Sequence, residues 1–207
     1  IVPGLENAVR RATMLGDRKA DRVLAVERMG DSGIEIDLGG LHPFEHATVI
    51  RLELDGEPRV DESIRPRADG TVELSPAAAI LEGPSLRVER YPDSNGVTIE
   101  NLGYWLSTDP SASWTARLEP GRTYRILIDM ACKNGSAGGG FELACADQVF
   151  RIEVPATGGW DRFQTHEIGT LVGSEGGGPM DVVLRAVEIP GEAAGNVRGI
   201  HFSPTDF

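Results

Sequence analysis

The chain has 207 residues, and its 32 acidic against 20 basic side chains give a formal charge of −12. A hydrophobic content of 40% with 25% charged residues is ordinary for a globular protein and excludes disorder along the whole chain. Because an acidic surface repels phosphates and no apolar stretch reaches the ~20 residues that span a bilayer, we expect neither a nucleic-acid nor a membrane partner.

Alternating apolar and polar residues dominate the first 60 positions. Arg11–Leu15, Val23–Met29, Ile34–Leu38 and Val49–Leu54 predict four strands, of which the last two alternate most strictly. The one helical candidate is Leu5–Met14, which follows a proline and a glycine. Four strands bury little apolar surface, so we expect this segment to be an incomplete β-sandwich that is stabilised by packing against another domain or a partner.

The sequence predicts a linker and then a larger second domain. Residues 63–74 are charged and lack periodicity, so we interpret them as a linker between a first domain at 1–62 and a second at 75–207. Nine short segments from residue 71 onward, separated by glycine-rich turns, predict an all-β sandwich or jelly roll. The segments are Thr71–Leu74, Leu86–Arg90, Ser113–Leu118, Thr123–Cys132, Gly140–Ala146, Val149–Val154, Arg162–Ile168, Met180–Val187 and Gly199–Ser203.

The two cysteines, Cys132 and Cys145, are too few for a disulfide scaffold, although a single bridge between them stays open. Counting outward from a predicted hairpin tip at Asn134–Gly140 sets Cys132 opposite about Phe141. That register places Cys145 too far away for a direct bridge. We therefore favour two buried thiols.

No catalytic constellation stands out in the sequence. Glycosidase chemistry needs two carboxylates ~5–10 Å apart, and Glu35 and Asp37 share a strand face, but that face is the polar, solvated one. His42 and His46 have the spacing of a zinc site on a helix, but Pro43 favours a loop there. Because the chain is also shorter than the ~250 residues of a (β/α)8 barrel, we do not expect a free-standing enzyme.

Four motifs occur in a fixed order along residues 1–60. They are Pro3–Asn7, Met14–Asp17, Ile34–Leu38 and Thr48–Pro58. In this order they resemble the C-terminal β-domain of family-29 glycoside hydrolases, the α-L-fucosidases. The resemblance implies that the chain starts inside that domain, downstream of a catalytic barrel with which it would pack, and that the parent enzyme is secreted or periplasmic.

Motifs in the second segment resemble carbohydrate-binding modules of families 6 and 35, which have a galactose-binding-like jelly roll. The resemblance covers about residues 75–205. The matching residues are Glu82-Gly83, Asn101–Trp105, Trp114, Pro120–Ile126, Thr157–Trp160 and Asn196.

Sugar binding needs aromatic faces for the apolar side of a pyranose and a few polar groups for its hydroxyls. The resemblance implies ring stacking on Tyr104 and Trp160 and a hydrogen-bonding amide at Asn196. Trp105 is a substitute for Tyr104. Additional hydrogen bonds near the sugar are expected from Asp161 and Asn101.

One of these assignments, that of Trp160, has a structural alternative. Trp160 could equally cover the edge of the sandwich, whereas Trp114 alternates with core residues and is expected in the core. Modules of this kind often hold a structural calcium, for which Glu82 is the candidate ligand. At the second ligand position, however, Arg198 follows Asn196, and a cation there opposes Ca²⁺. We therefore expect no cofactor and no metal.

These observations indicate a non-catalytic, carbohydrate-binding accessory region of an α-L-fucosidase-like glycoside hydrolase. Its role would be to raise the local concentration of glycan around a tethered catalytic domain. The alternative is a purely structural β-sandwich that packs against the catalytic domain or another subunit and binds no ligand. Exposure of Tyr104 or Trp105 beside Trp160 would favour sugar binding, and burial of these rings would favour the structural role.

Overall fold

The computed structural model describes residues 1–16, 22–29, 33–42, 47–92 and 96–205. Within these ranges the regular structure is almost entirely β-strand, and the helical turns are two short 3-10 turns at Pro76–Ala78 and Asn134–Ser136. A helix of the length and apolarity needed to cross a membrane is not found in this part of the chain. The chain divides into a first unit, Ile1–Glu62, and a second unit, Ser63–Phe207.

Two small antiparallel sheets make up the first unit. One has the strand order β1-β4-β3, and the other pairs β2 with β5. The strands are β1 (Val2–Pro3), β2 (Val9–Met14), β3 (Ala25–Arg28), β4 (Gly33–Asp37) and β5 (Ile50–Leu54). All four predicted strands are therefore confirmed, and the acidic side chains of Glu35 and Asp37 lie on the exposed face of β4 as expected.

The helical candidate Leu5–Met14 is not a helix. Residues Val9–Met14 pair in antiparallel register with Ile50–Leu54 instead. This pairing supplies the backbone hydrogen bonds of the segment and buries Ala12 and Met14, which a marginal helix would not achieve. His46 lies outside the described residues, so the spacing of His42 and His46 has no structural description.

Two larger antiparallel sheets form the second unit. The five-stranded sheet has the order β13-β12-β15-β10-β7, and the six-stranded sheet has the order β14-β11-β16-β9-β8 with β6 also paired to β16. The strands are β6 (Val72–Leu74), β7 (Ile80–Glu82), β8 (Arg87–Pro92), β9 (Thr98–Gly103), β10 (Ser111–Ala116), β11 (Thr123–Ala131), β12 (Gly140–Cys145), β13 (Gln148–Glu153), β14 (Gln164–Val172), β15 (Met180–Glu188) and β16 (Asn196–Pro204).

Each of the nine predicted segments coincides with a strand, but two strands and the extent of the linker differ from expectation. Strands β7 and β9 were not predicted. The expected linker at 63–74 contributes to the second unit. Val72 and Leu74 are fully buried where β6 pairs with β16, and Ile64 forms a bridge with Ala116.

One hydrophobic core lies between the two sheets of the second unit. Its largest members include Trp105, Tyr124, Phe141 and Phe202, all fully buried. The rings of Trp105 and Phe141 meet edge to face with their centroids 5.2 Å apart. Trp114 is also buried and its indole N–H donates to a backbone carbonyl, so its predicted place in the core is confirmed.

Both cysteines are free and buried, but the hairpin used to place them is wrong. Strands β11 and β12 belong to opposite sheets, so residues 132–139 cross from one sheet to the other. Each strand has its own partners on both sides, β14 and β16 for β11, and β13 and β15 for β12. Burial raises the pKa of the Cys132 thiol and raises that of Cys145 to about 12.

Candidate functional site

An open pocket of about 250 Å³ lies where β8, β9 and β16 come together with three loops of the second unit. It brings together three of the six residues that the sequence suggested, one amide and two aromatic rings. The lining residues are Glu89, Tyr104, Leu106, Trp160, Glu192, Ala193 and Asn196.

Tyr104 forms one wall of the pocket immediately after β9 ends at Gly103. Its backbone is left-handed, with φ at 66°, a conformation that costs free energy for a bulky residue. Its carbonyl accepts hydrogen bonds from the Ser85 hydroxyl at 3.0 Å and from the Leu106 amide at 2.9 Å. The residue remains 38% exposed, and the guanidinium of Arg87 stacks on one face of the ring with its carbon 3.5 Å from the ring centroid.

Trp160 forms another wall of the pocket from the loop that follows β13. The indole is half-buried and packs against the core. The amide nitrogen of Asn196, the first residue of β16, donates to the Trp160 carbonyl at 2.9 Å. Earlier in the loop, the Thr157 hydroxyl accepts from the Cys132 amide at 2.8 Å and donates to the Gly159 carbonyl at 3.2 Å. The loop that carries the tryptophan is therefore held by hydrogen bonds to β16 and to the residue that follows β11.

The floor of the pocket depends on the pairing of β8 with β9. Glu89 stands opposite Asn101 in the antiparallel register, and the Asn101 amide donates to the Glu89 Oε2 at 3.0 Å. A Cβ atom at Gly103 would lie 2.1 Å from that Oε2 and 3.1 Å from the Asn196 Oδ1. The absence of a side chain at Gly103 leaves room for the Glu89 carboxylate and the Asn196 amide oxygen, both hydrogen-bond acceptors, to approach each other in these positions.

Acidic groups surround the pocket. On its rim, Glu192 accepts from the Lys133 Nζ at 3.0 Å. Asp161 is exposed and does not line the pocket, but it lies close enough to Tyr91 to affect its titration. Burial raises the pKa of the Tyr91 hydroxyl, and the negative charges of Asp161 and Glu89 raise it further.

The remaining predicted residues lie elsewhere. Trp105 is fully buried against Phe141 and offers no face to the pocket, because the left-handed turn at Tyr104 directs these neighbouring rings to opposite sides. Asn101 is also fully buried and acts beneath the pocket through Glu89. Glu82 is exposed at the end of β7.

At the calcium position that the resemblance implies, a basic residue, Arg198, follows Asn196. Arg198 forms an ion pair with Asp129 at 3.1 Å, which directs a cation into that region. In the described part of the chain, no three acidic, histidine or cysteine side chains group together so that they could hold a metal ion.

Sequence reasoning missed Glu89, Arg87 and the residues of the rim, Leu106, Glu192 and Ala193. The signal for the first two lies in strand pairing. Because β8 pairs with β9, Arg87 stands opposite Gly103, beside Tyr104, and Glu89 stands opposite Asn101. Because β9 was not predicted, Arg87 and Glu89 could not be paired from the sequence with their partners on that strand.

Comparison with solved structures relates the fold to known proteins. A family 6 carbohydrate-binding module of the Cellvibrio mixtus lichenase 5A, solved with cellotriose, matches with a TM-score of 0.50 and 23% identity over 65% of this chain and 97% of the module. A β-1,3-glucan-binding family 6 module from Bacillus halodurans matches with a TM-score of 0.51 and 20% identity, covering 68% and 98%.

The mosquito-larvicidal Cry4Aa toxin of Bacillus thuringiensis also matches, with a TM-score of 0.54 and 16% identity over 72% of this chain and 26% of the toxin. No family model and no curated protein matches the sequence. At these identities the similarity concerns the fold alone. The protein thus has the all-β, jelly-roll sandwich fold that the sequence predicted, shared by carbohydrate-binding modules and by an insecticidal toxin.

Proposed function

We propose that the second unit is a non-catalytic module that binds carbohydrate in the pocket between Tyr104 and Trp160. One observation carries the proposal: two aromatic rings with exposed surface and the acceptor oxygens of Glu89 and Asn196 line the same open pocket. Sugar sites need this combination of apolar faces and a few oriented polar groups.

The two rings have different roles in the proposed site. Because Arg87 covers one face of Tyr104, a pyranose would stack on the other face of that ring. Trp160 would contribute the second apolar surface, held in place by Asn196. Ordered rings of this kind bind with little loss of side-chain entropy.

The polar groups suit hydroxyl ligands. The Asn196 amide nitrogen is engaged by the Trp160 carbonyl, which leaves its Oδ1 as the group that a sugar hydroxyl can donate to. Glu89 likewise offers a carboxylate that is fixed by Asn101 from below. The fold neighbours named above include modules described as binding cellotriose and a β-1,3-glucan, so cello- and laminari-oligosaccharides are the first ligands to test.

Calorimetric titration of these oligosaccharides, preceded by a glycan array to find the best ligand, tests the proposal. We expect Trp160→Ala and Tyr104→Ala each to weaken binding by about tenfold or more, because each removes a stacking surface. Val149→Ala is the matched control, since Val149 is an exposed apolar residue on β13 that does not line the pocket. Trp160→Phe, which keeps an aromatic ring against the core, separates loss of binding from loss of folding.

Two results would contradict the proposal. The first is the absence of binding to every glycan by the folded wild-type protein. The second is unchanged affinity in both alanine variants while their melting temperatures match the wild type. Either result would favour a structural sandwich that packs against another domain or subunit, a role that the burial of Trp105 and the core contacts of Trp160 also fit.

We also propose that residues 1–62 are the end of the C-terminal β-domain of an α-L-fucosidase-like glycoside hydrolase. The support is the ordered set of motifs from Pro3–Asn7 to Thr48–Pro58. The proposed pocket would then act as an accessory site that concentrates a secreted or periplasmic enzyme on its substrate. Determining the coding sequence upstream of Ile1 tests this, and the absence there of a family-29 catalytic barrel would contradict it.

A further inference from the structure

We infer that the pocket selects glycans that carry a protonated amine, such as 2-amino-2-deoxy sugars, over neutral and anionic glycans. This inference rests on the proposed carbohydrate-binding function. It follows from the distribution of charge around the pocket rather than from the aromatic rings. Glu89 supplies the negative charge on which this selectivity depends.

The described lining of the pocket contains two acidic side chains, Glu89 and Glu192, and no lysine or arginine. An anionic sugar such as a uronate would therefore meet like charges at the site. A cationic sugar would meet opposite charges in a partly desolvated setting, where such attraction is less screened than at an open surface.

Glu89 carries the charge that an amine would meet. It is half-buried, and its one described partner is the neutral amide of Asn101 at 3.0 Å. No basic side chain in the described part of the chain forms an ion pair with it. Its carboxylate is therefore fixed in position without being neutralised.

Two basic groups beside the pocket, Arg87 and Lys133, are already engaged. Arg198, whose charge acts on Tyr91, is paired with Asp129. Arg87 stacks on Tyr104, so that ring already has a cation on one face and is a poor second site for another. Lys133 binds Glu192 and reduces the charge of the rim. An amine is therefore expected on the Glu89 side, where the indole of Trp160 adds a cation–π surface.

The behaviour of Tyr91 supports a negative potential on this side of the pocket. The charges of Asp161 and Glu89 raise the pKa of its hydroxyl in addition to the larger effect of burial, and the charge of Arg198 acts against them. The same field would favour a positive charge on a ligand. With a formal charge of −12, the rest of the chain acts in the same direction.

A titration with three matched tetrasaccharides tests the inference: β-1,4-linked glucosamine, its fully N-acetylated form and cellotetraose, at a pH where the free amine is protonated. N-acetylation removes the charge and keeps the sugar ring. We expect the glucosamine tetramer to bind about fivefold more tightly than the other two, the ratio that one partly exposed charge pair provides. In 1 M salt, where the Debye length is about 3 Å, this ratio should fall towards one.

Three variants locate the effect. Glu89→Gln should bring the ratio of the amine to the N-acetylated ligand close to one. Lys133→Ala should increase the ratio, because it releases Glu192 from its ion pair. Glu153→Gln removes an exposed negative charge from β13, outside the pocket, and should leave the ratio unchanged.

The outcomes separate the two proposals. Equal affinity for the three tetramers, with both aromatic variants still impaired, overturns the amine preference and leaves carbohydrate binding intact. A preference that Glu89→Gln and Glu153→Gln reduce equally also overturns it, because the attraction then comes from the overall charge. If none of the tetramers and no other glycan binds the folded protein, the proposed function itself fails.

Discussion

The two units use the same sequence pattern with different results. In the first unit, alternation over residues such as Gly33–Asp37 yields two small sheets whose shared core consists of Ala12, Met14 and Leu24 with half-buried neighbours. In the second unit the same alternation yields two larger sheets that enclose a core containing several fully buried aromatic rings. Alternation therefore specifies a strand, but the number of strands available to face one another decides how much apolar surface is buried.

The difference also explains where a binding site can form. The proposed pocket lies on loops that are tied to a closed sandwich, through the hydrogen bonds of Asn196 and Thr157. Loops on a rigid scaffold hold functional side chains in fixed positions. All three tryptophans and both cysteines lie in the second unit, so fluorescence and thiol chemistry report on that unit alone.

The largest expected effect concerns the thiols. Because burial raises the pKa of Cys145 to about 12 and also raises that of Cys132, the reactive thiolate of Cys145 should be about a thousandfold rarer than in an ordinary cysteine. We expect neither cysteine to react with Ellman's reagent in the folded protein, and both to react in denaturant. Rapid labelling of either thiol under native conditions would show that the second unit opens more readily than its core implies.

The core of the second unit should respond strongly to truncation. Phe141→Ala removes a fully buried ring that contacts Trp105, and we expect the free energy of unfolding of this unit to fall by about 3–5 kcal/mol. Ile36→Ala in the half-buried core of the first unit should cost about 1–2 kcal/mol. Denaturant unfolding followed by tryptophan fluorescence for Phe141→Ala and by circular dichroism for Ile36→Ala measures both. Equal losses would remove the distinction between the two cores.

The stability of the second unit should depend on acid pH through Asp129. Hydrogen bonds from His201, Thr165 and Arg198 hold the pKa of this buried carboxyl well below its usual range. The resulting stability is fully present above the unfolded-state pKa of about 4 and is lost as pH falls below it. We expect Asp129→Asn to cost on the order of 2 kcal/mol at pH 7 and to flatten the unfolding free energy below pH 4.

Asp147→Asn, at an exposed turn between β12 and β13, is the control for this titration. It should leave both the stability and its pH dependence as in the wild type. If the unfolding free energy of Asp129→Asn fell at acid pH as much as that of the wild type, titratable groups other than Asp129 would be responsible for the acid dependence.

The smallest effect on stability is expected at the pocket wall. Tyr104→Gly relieves the strain of a left-handed backbone, which stabilises the folded protein. It also removes the stacking with Arg87 and increases the conformational entropy of the unfolded chain, and both effects destabilise the folded protein. Because these effects oppose one another, we expect the unfolding free energy to change by less than about 1 kcal/mol. Its glycan affinity should nevertheless fall as in Tyr104→Ala. A stable variant with wild-type affinity would exclude Tyr104 from the site.

Local patterns were enough to predict much of the fold. Alternation over Ile34–Leu38 and Met180–Val187 identified strands correctly, because a strand is specified by a period of two within a few residues. The same reasoning correctly placed Trp114 in the core. It also singled out Tyr104, Trp160 and Asn196, which the structure brings to one pocket, although their binding role stays a prediction.

Only the tertiary structure decided which strands are partners. The segments that end at Cys132 and begin at Gly140 look like a hairpin along the chain, yet they belong to opposite sheets, because the first pairs with the distant β14 and β16 and the second with β13 and β15. The pairing of the consecutive strands β8 and β9 sets Glu89 opposite Asn101, and a left-handed residue exposes Tyr104 next to the buried Trp105. Strand formation is a property of a few neighbouring residues, whereas the pocket and its charge arise from contacts between segments tens of residues apart, which no local pattern encodes.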